Sequence, residues 1–246
     1  MARPAGGIMT HALNRRALLL EGARDTVPML VGAAPFGVIF GTLAIAAGLS
    51  PATALGMSVL VFAGSSQFIG VSLIGAGTAL PVLWLTTFVV NLRHALYSAT
   101  LLPYARDWPL RWRWPLAFWL TDETFAVVEH RFRTKGTDGG QWYWLASSLA
   151  MYGNWLFWTM VGVSLGQSLP GLATLGLDFA MGATFAAIVA PQLKRRPALG
   201  AALAASAVAM LARGLPYKLD LMLAAVVGVA TGLLLEQWHK GKEQTA

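Results

Sequence analysis

The sequence predicts an all-α protein, a polytopic transmembrane helical bundle of about seven or eight spans with broken helices among them. Three observations carry this. Of 246 residues, 56% are hydrophobic and 12% charged, with mean hydropathy +0.59, whereas an ordinary soluble domain is about 25% charged. So little polar surface cannot coat a globule in water. The apolar residues form continuous runs close to the roughly 20 residues of a helical crossing, without the alternation of a transmembrane barrel. Charges, Gly and Pro divide these runs from one another. A disordered chain, a disulfide scaffold and a soluble enzyme are thereby excluded, and the absence of cysteine removes thiol chemistry.

Residues 1–25 read as a cytoplasmic N-terminal segment. Asn14-Arg15-Arg16 before Leu18-Leu19-Leu20 has the outline of a twin-arginine signal, but Glu21, Arg24 and Asp25 interrupt the run before an export core forms. Residues 11–25 are instead expected to form a surface helix leading into the first span. A single transmembrane domain follows over 26–238, with apolar stretches at 26–48, 52–76, 80–102, 113–131, 142–168, 171–193, 197–212 and 216–238, and 239–246 is a cytoplasmic tail. The stretch 197–212 is short for a crossing, so seven spans stand beside eight. Ala33, Gly37 and Gly41 recur every four residues, as do Ala224, Gly228 and Gly232, giving faces along which helices approach closely. Leu55-Gly56-Met57 and then Gly64-Ser65-Ser66-Gln67-Phe68 echo Leu175-Gly176-Leu177 and then Gly182-Ala183-Thr184-Phe185. This is a weak internal repeat of the kind found in secondary transporters.

With eight spans, the predicted inner segments hold Arg3, Arg15, Arg16, Arg24, Arg131, Arg133, Lys135, Lys194, Arg195, Arg196, Lys240 and Lys242. The outer loops hold Arg106, Arg111, Arg113, Arg213 and Lys218. The excess places both termini in the cytoplasm. The net charge of +7 is then explained by basic loops meeting anionic lipid headgroups, and no basic stripe with interleaved aromatics points to nucleic acid.

The informative residues are polar ones within apolar stretches, because a charge at mid-membrane costs about 2.5–3.5 kcal/mol on insertion scales. Gly64-Ser65-Ser66-Gln67 interrupts the second stretch and reads equally as a packing notch or as a discontinuous helix whose freed amides suit a carboxylate. In the third, Asn91, His94 and Ser98 form one polar stripe, with Arg93 and Tyr97 on a neighbouring face. Arg93 lies too deep to snorkel easily and needs an anionic partner, permanent or transported. In the fourth, Asp122 and Glu123 are about 100° apart on a helix, so both are not expected to face one cavity squarely. Either is a candidate partner for Arg93. Asp178 is the lone acid of the sixth stretch, a salt-bridge partner for Arg93 or an ammonium or proton site. Asn154 reads as an interhelical hydrogen bond.

No His-Glu-x-x-His, Gly-x-Ser-x-Gly or phosphate-cradling glycine loop is present. Nothing in the spacing places Ser65 beside His94 as a hydrolase would require, or gathers His94, Asp122 and Glu123 around a metal. The chain reads as a non-enzyme without a cofactor.

Five motifs in order carry a resemblance: Pro35-Phe36-Gly37-Val38-Ile39-Phe40-Gly41, Phe62-Ala63-Gly64-Ser65-Ser66-Gln67-Phe68, Asn91-Leu92-Arg93-His94-Ala95-Leu96-Tyr97, Leu120-Thr121-Asp122-Glu123-Thr124-Phe125 and Gly176-Leu177-Asp178-Phe179. From about residue 24 to 196 the chain resembles the AzlC/YgaZ family. Position 66 is often alanine there, so Ser66 adds a hydroxyl. The resemblance implies a large subunit that exports branched-chain amino acids across the bacterial inner membrane, driven by the proton gradient and acting with a small AzlD/YgaH-type membrane subunit. Such a zwitterion needs a donor for its carboxylate, an acceptor for its ammonium and an aliphatic pocket. The candidate contacts are Gly64, Ser65, Ser66 and Gln67 with Asn91 and Arg93 for the carboxylate, Asp178 or Asp122 for the ammonium, and Phe36, Phe40 and Phe68 as walls. Proton coupling would use Asp178, Asp122, Glu123 or His94, whose charges respond to desolvation. The rival expectations are a noncatalytic assembly subunit and an exporter of another small solute.

Overall fold

The computed structural model describes residues 14–168, 193, 196–213, 215 and 219–244. Among them the long elements are α1 (Arg15–Ala46), α2 (Pro51–Leu60), α3 (Gly64–Gly75), α4 (Leu80–Ala105), α5 (Leu110–Phe118), α6 (Asp122–Lys135), α7 (Gly140–Ser168), α8 (Arg196–Leu211) and α9 (Leu219–Gln244). No strand occurs among the described residues. α1 is the one described helix that is both long and apolar enough by composition to cross a bilayer, with a window of hydropathy 2.0. α4 and α7 reach 26 and 29 residues, but Asn, Arg and His in one and Trp, Tyr and Gln in the other lower their mean hydropathy.

Two boundaries differ from the sequence reading. Residues 15–25 are not a separate surface helix; they are the first turns of a continuous 32-residue α1. Asn14 caps it by accepting from the Ala17 amide at 3.3 Å. The stretch 113–131, expected as one helix, is broken into α5 and α6, as 52–76 is broken into α2 and α3. Pieces of 9 to 14 residues rise about 1.5 Å per residue, so each is roughly half a bilayer long.

The largest interface joins α1 to α7, and the small-residue face of α1 is what makes it close. A Cβ on Gly41 would overlap the Thr159 carbonyl oxygen, and one on Gly162 would overlap that of Val38. Thr42 donates to Gly162 O at 3.1 Å, Thr26 to Ser147 at 2.8 Å, and Asn154, as expected, to Leu30 O at 3.1 Å. The partners are separated by 121, 120 and 124 residues. So nearly constant an offset means that the two helices run parallel and in register. The second copy of the suspected repeat, 175–185, lies outside the described residues.

α8 and α9 form a hairpin. Gly228 and Gly232 of α9 sit against Ala205 and Ala201 of α8, so the small-residue face at Ala224, Gly228 and Gly232 is used within the chain. Elsewhere the surface is apolar: Leu20, Val31, Trp84, Phe88, Leu96, Trp114, Leu211 and Leu234 are all more than half exposed, the coat that hydrocarbon rather than water accommodates.

Candidate functional site

Both helix breaks open on one cavity of about 480 Å³, within the range of small-molecule sites. At the first, α2 stops at Leu60 and Phe62 turns the chain at φ 43, a left-handed conformation that costs a non-glycine residue about 1–2 kcal/mol. The break is held from outside. Tyr152 donates to Val59 O at 3.0 Å, and its ring meets Phe62 edge-on at 4.8 Å. α3 restarts with Ala63 as its N-cap, which offers no side-chain bond. Gln67 N donates to Ala63 O, so the amides of Gly64, Ser65 and Ser66 precede the first helical bond and keep the partial positive charge of a helix start. Gly64 makes a close approach here: a Cβ would lie 3.2 Å from the Trp155 ring, which would have to give by a few tenths of an ångström.

At the second break, Thr121 caps α6 by accepting from the Thr124 amide, and Asp122 and Glu123 occupy the first turn. Acids in that position are favoured by the helix dipole. Both line the cavity, contrary to the expectation from their 100° separation, because the cavity meets the end of this helix and not its side.

Arg93, from α4, completes the polar wall. Its Nη1 donates to Asp122 Oδ2 at 2.5 Å, so of the two adjacent acids Asp122 and Glu123 it is Asp122 that pairs with it. The pair is incompletely satisfied: Arg93 Nε and Asp122 Oδ1 are buried without hydrogen-bond partners. His94 lines the same wall, with Nδ1 3.1 Å from Asn91 O. His94, Asp122 and Glu123 thus share the cavity, yet among the described residues no three His, Asp or Glu side chains form a group able to hold a metal.

The same cavity is also lined by Met29, Ala33, Phe36, Phe62, Phe68, Met151 and Trp155. Of the predicted carboxylate and wall residues, Gly64, Ser65, Arg93, Phe36 and Phe68 line the cavity, together with Asp122, Glu123 and His94. The others stand behind it. Gln67 is 0% exposed. It donates to Ser58 Oγ at 2.9 Å and accepts from Trp155 Nε1 at 3.1 Å, while Ser58 is 3.0 Å from Thr159. Its amide is spent on tying α2, α3 and α7 together. Ser66 donates to Asn91 Oδ1 at 2.5 Å, joining α3 to α4. Phe40 packs edge-on against Phe68 and stacks on Trp155, supporting the wall from outside. Asp178 lies outside the described residues.

Sequence reading missed Trp155, Met151, Phe62 and the second break. The break had a signal: Thr121, followed by two acids and Thr124, is a helix-start pattern. Trp155 had a weaker one, a tryptophan in the middle of a span whose N–H needs a partner.

The model of the AzlC protein family matches residues 28–169, which include every cavity residue named above. The chain is 26% identical over 235 residues to the inner membrane protein YgaZ of Escherichia coli strain K12, covering 93% of this chain and 95% of that one. A membrane protein of Archaeoglobus fulgidus is 31% identical over 231 residues, with 93% and 98% covered. The branched-chain amino acid transport protein AzlC of Bacillus subtilis strain 168 is 29% identical over 190 residues, with 75% and 73% covered. No solved structure matches the chain. Family match and relatives agree, and the chain belongs to the AzlC family of membrane proteins.

Proposed function

We propose that this protein is a multi-pass secondary transporter of the bacterial inner membrane that exports valine, leucine and isoleucine in exchange for protons, together with a small AzlD/YgaH-type membrane subunit. The observation that carries the reading is the mixed lining of the cavity. An uncapped helix start and the Arg93–Asp122 pair line it together with aliphatic and aromatic side chains. The name of the Bacillus subtilis relative supports the substrate class.

In this reading the amides of Gly64 and Ser65, with Arg93, receive the carboxylate. Asp122 receives the ammonium, and the side chain lies against Phe36, Phe68 and Met151. Arg93 and Asp122, both lining the cavity, supply the donor and the acceptor that a zwitterion needs. A carboxylate that can hold an ammonium or a proton, but not both at once, is the smallest device for exchange. Asp122, Glu123, His94 and Asp178 are the candidates for it, and the first three line the cavity.

The test is counterflow of labelled leucine in proteoliposomes holding this protein with and without its small partner, competed by valine and by an unrelated amino acid. The expected result is saturable, stereoselective flux that requires both chains and accumulates solute under an imposed proton gradient. Absence of flux from folded, partner-containing vesicles would reject the substrate class. Flux that never accumulates solute against a gradient would mark a channel instead.

A further inference from the structure

A second cavity, of about 490 Å³, lies toward the end of the bundle where α1 begins and α6 ends. It is lined by Arg24, Asp25, Ala126, His130, Arg131 and Lys135, among others, and it shares Pro28 and Met29 with the central cavity. Along α1 the lining residues of the two cavities are 24, 25, 28, 29, 32, 33 and 36, one unbroken face at helical spacing. Along α6 they are 122, 123, 126, 127, 130, 131, 134 and 135, again one face. The outer part of this cleft is polar, unlike the opposite side of α1, where Leu20, Val27 and Val31 are exposed. It is therefore lined for water and not for lipid.

Ion pairs brace α1 against α6 at the mouth. Glu21 of α1 joins Lys135 at 2.6 Å and Arg131 at 3.2 Å, and Tyr143 donates to Asp25 at 2.9 Å. Gly32 and Ala33 leave the inner stretch of the α1 face without bulk, and Met29, at the junction, is the long flexible side chain on the path.

We infer that the cleft between α1 and α6 is the aqueous route by which a zwitterionic amino acid passes between the cytoplasmic face and the central cavity, with Met29 at its narrows. The inference rests on the transport reading for its solute, but the route itself is tested without transport. Because the chain has no cysteine, single cysteines can be placed at Ala126, Met29, Gly32 and, as a lipid-facing control, Val31. Inside-out and right-side-out vesicles are then treated with a membrane-impermeant, permanently charged thiosulfonate. Ala126→Cys and Met29→Cys should react at least tenfold faster than Val31→Cys, and from the cytoplasmic side. Leucine should slow Met29→Cys and Gly32→Cys while leaving Ala126→Cys unchanged. Equal rates at 29 and 31, or reaction of both 126 and 29 from the outer side alone, would overturn the route. The expected labelling without protection by leucine would uphold the route and reject the amino-acid reading instead. Ala126→Cys and Val31→Cys are mild changes at exposed positions, so the comparison survives if Gly32→Cys fails to fold.

Discussion

The chain breaks two helices at one cavity and finishes them in opposite ways. α3 begins with Ala63, which caps nothing, after a residue forced to positive φ. α6 begins with Thr121, which caps, and follows with two acids. The first start is left electropositive with free amides; the second neutralises its own end and turns carboxylates into the cavity. Since capping residues stabilise a helix start by about 1 kcal/mol, the bare start of α3 is a local loss of stability, consistent with a site kept open for an anion. In the proposed function the two breaks divide a zwitterion between them.

The largest effect is expected from abolishing the acidic side of this division. Asp122→Asn should reduce leucine counterflow about a hundredfold or to background. It also leaves Arg93 without its partner, so the double variant Asp122→Asn with Arg93→Gln is the sharper test. If the pair only holds helices together, removing both charges should return flux along with protein abundance; if the charges hold substrate, abundance returns and flux does not. Making the first break resemble the second gives an intermediate effect. Ala63→Asp should raise the melting temperature through a new cap, worth about 0.5–2 kcal/mol, while its charge raises the apparent KM for leucine about tenfold. An unchanged KM would move the carboxylate away from α3. The smallest effect is expected from Thr121→Val. Its bond to the Thr124 amide is long, 3.4 Å, so thermal unfolding in detergent should show a loss of about 0.5–1 kcal/mol with flux nearly intact.

What the sequence disclosed follows from which physics is local. Hydropathy and helical spacing are local, and they revealed the helical class, the small-residue faces at Gly37 and Gly228, and a deep Arg93 in need of an acid. The choice of Asp122 over its neighbour Glu123 was not legible, because it depends on where α6 restarts relative to α4. The break itself was half legible: Thr121, Asp122 and Glu123 spell a helix start, but an apolar run through 113–131 concealed it. Gln67 shows the opposite difficulty. A buried amide in a polar motif looks like a ligand contact, and only the positions of Ser58 and Trp155, distant in sequence or on another helix, reveal that both its ends are already used.

The contact between α1 and α7 has a mechanical consequence. Carbonyl oxygens of each helix occupy the space a Cβ of the other would need, and the hydroxyls of Thr26 and Thr42 bridge the same seam. Sliding either helix along the other by one residue would bring a side chain where none fits, so the pair resists shear and behaves as a stiff post. If the protein transports as proposed, the displacements fall to the short levers hung beside this post, α2 with α3 and α5 with α6, whose unwound joints at 61–63 and 119–121 are places where the backbone can bend without unpacking it.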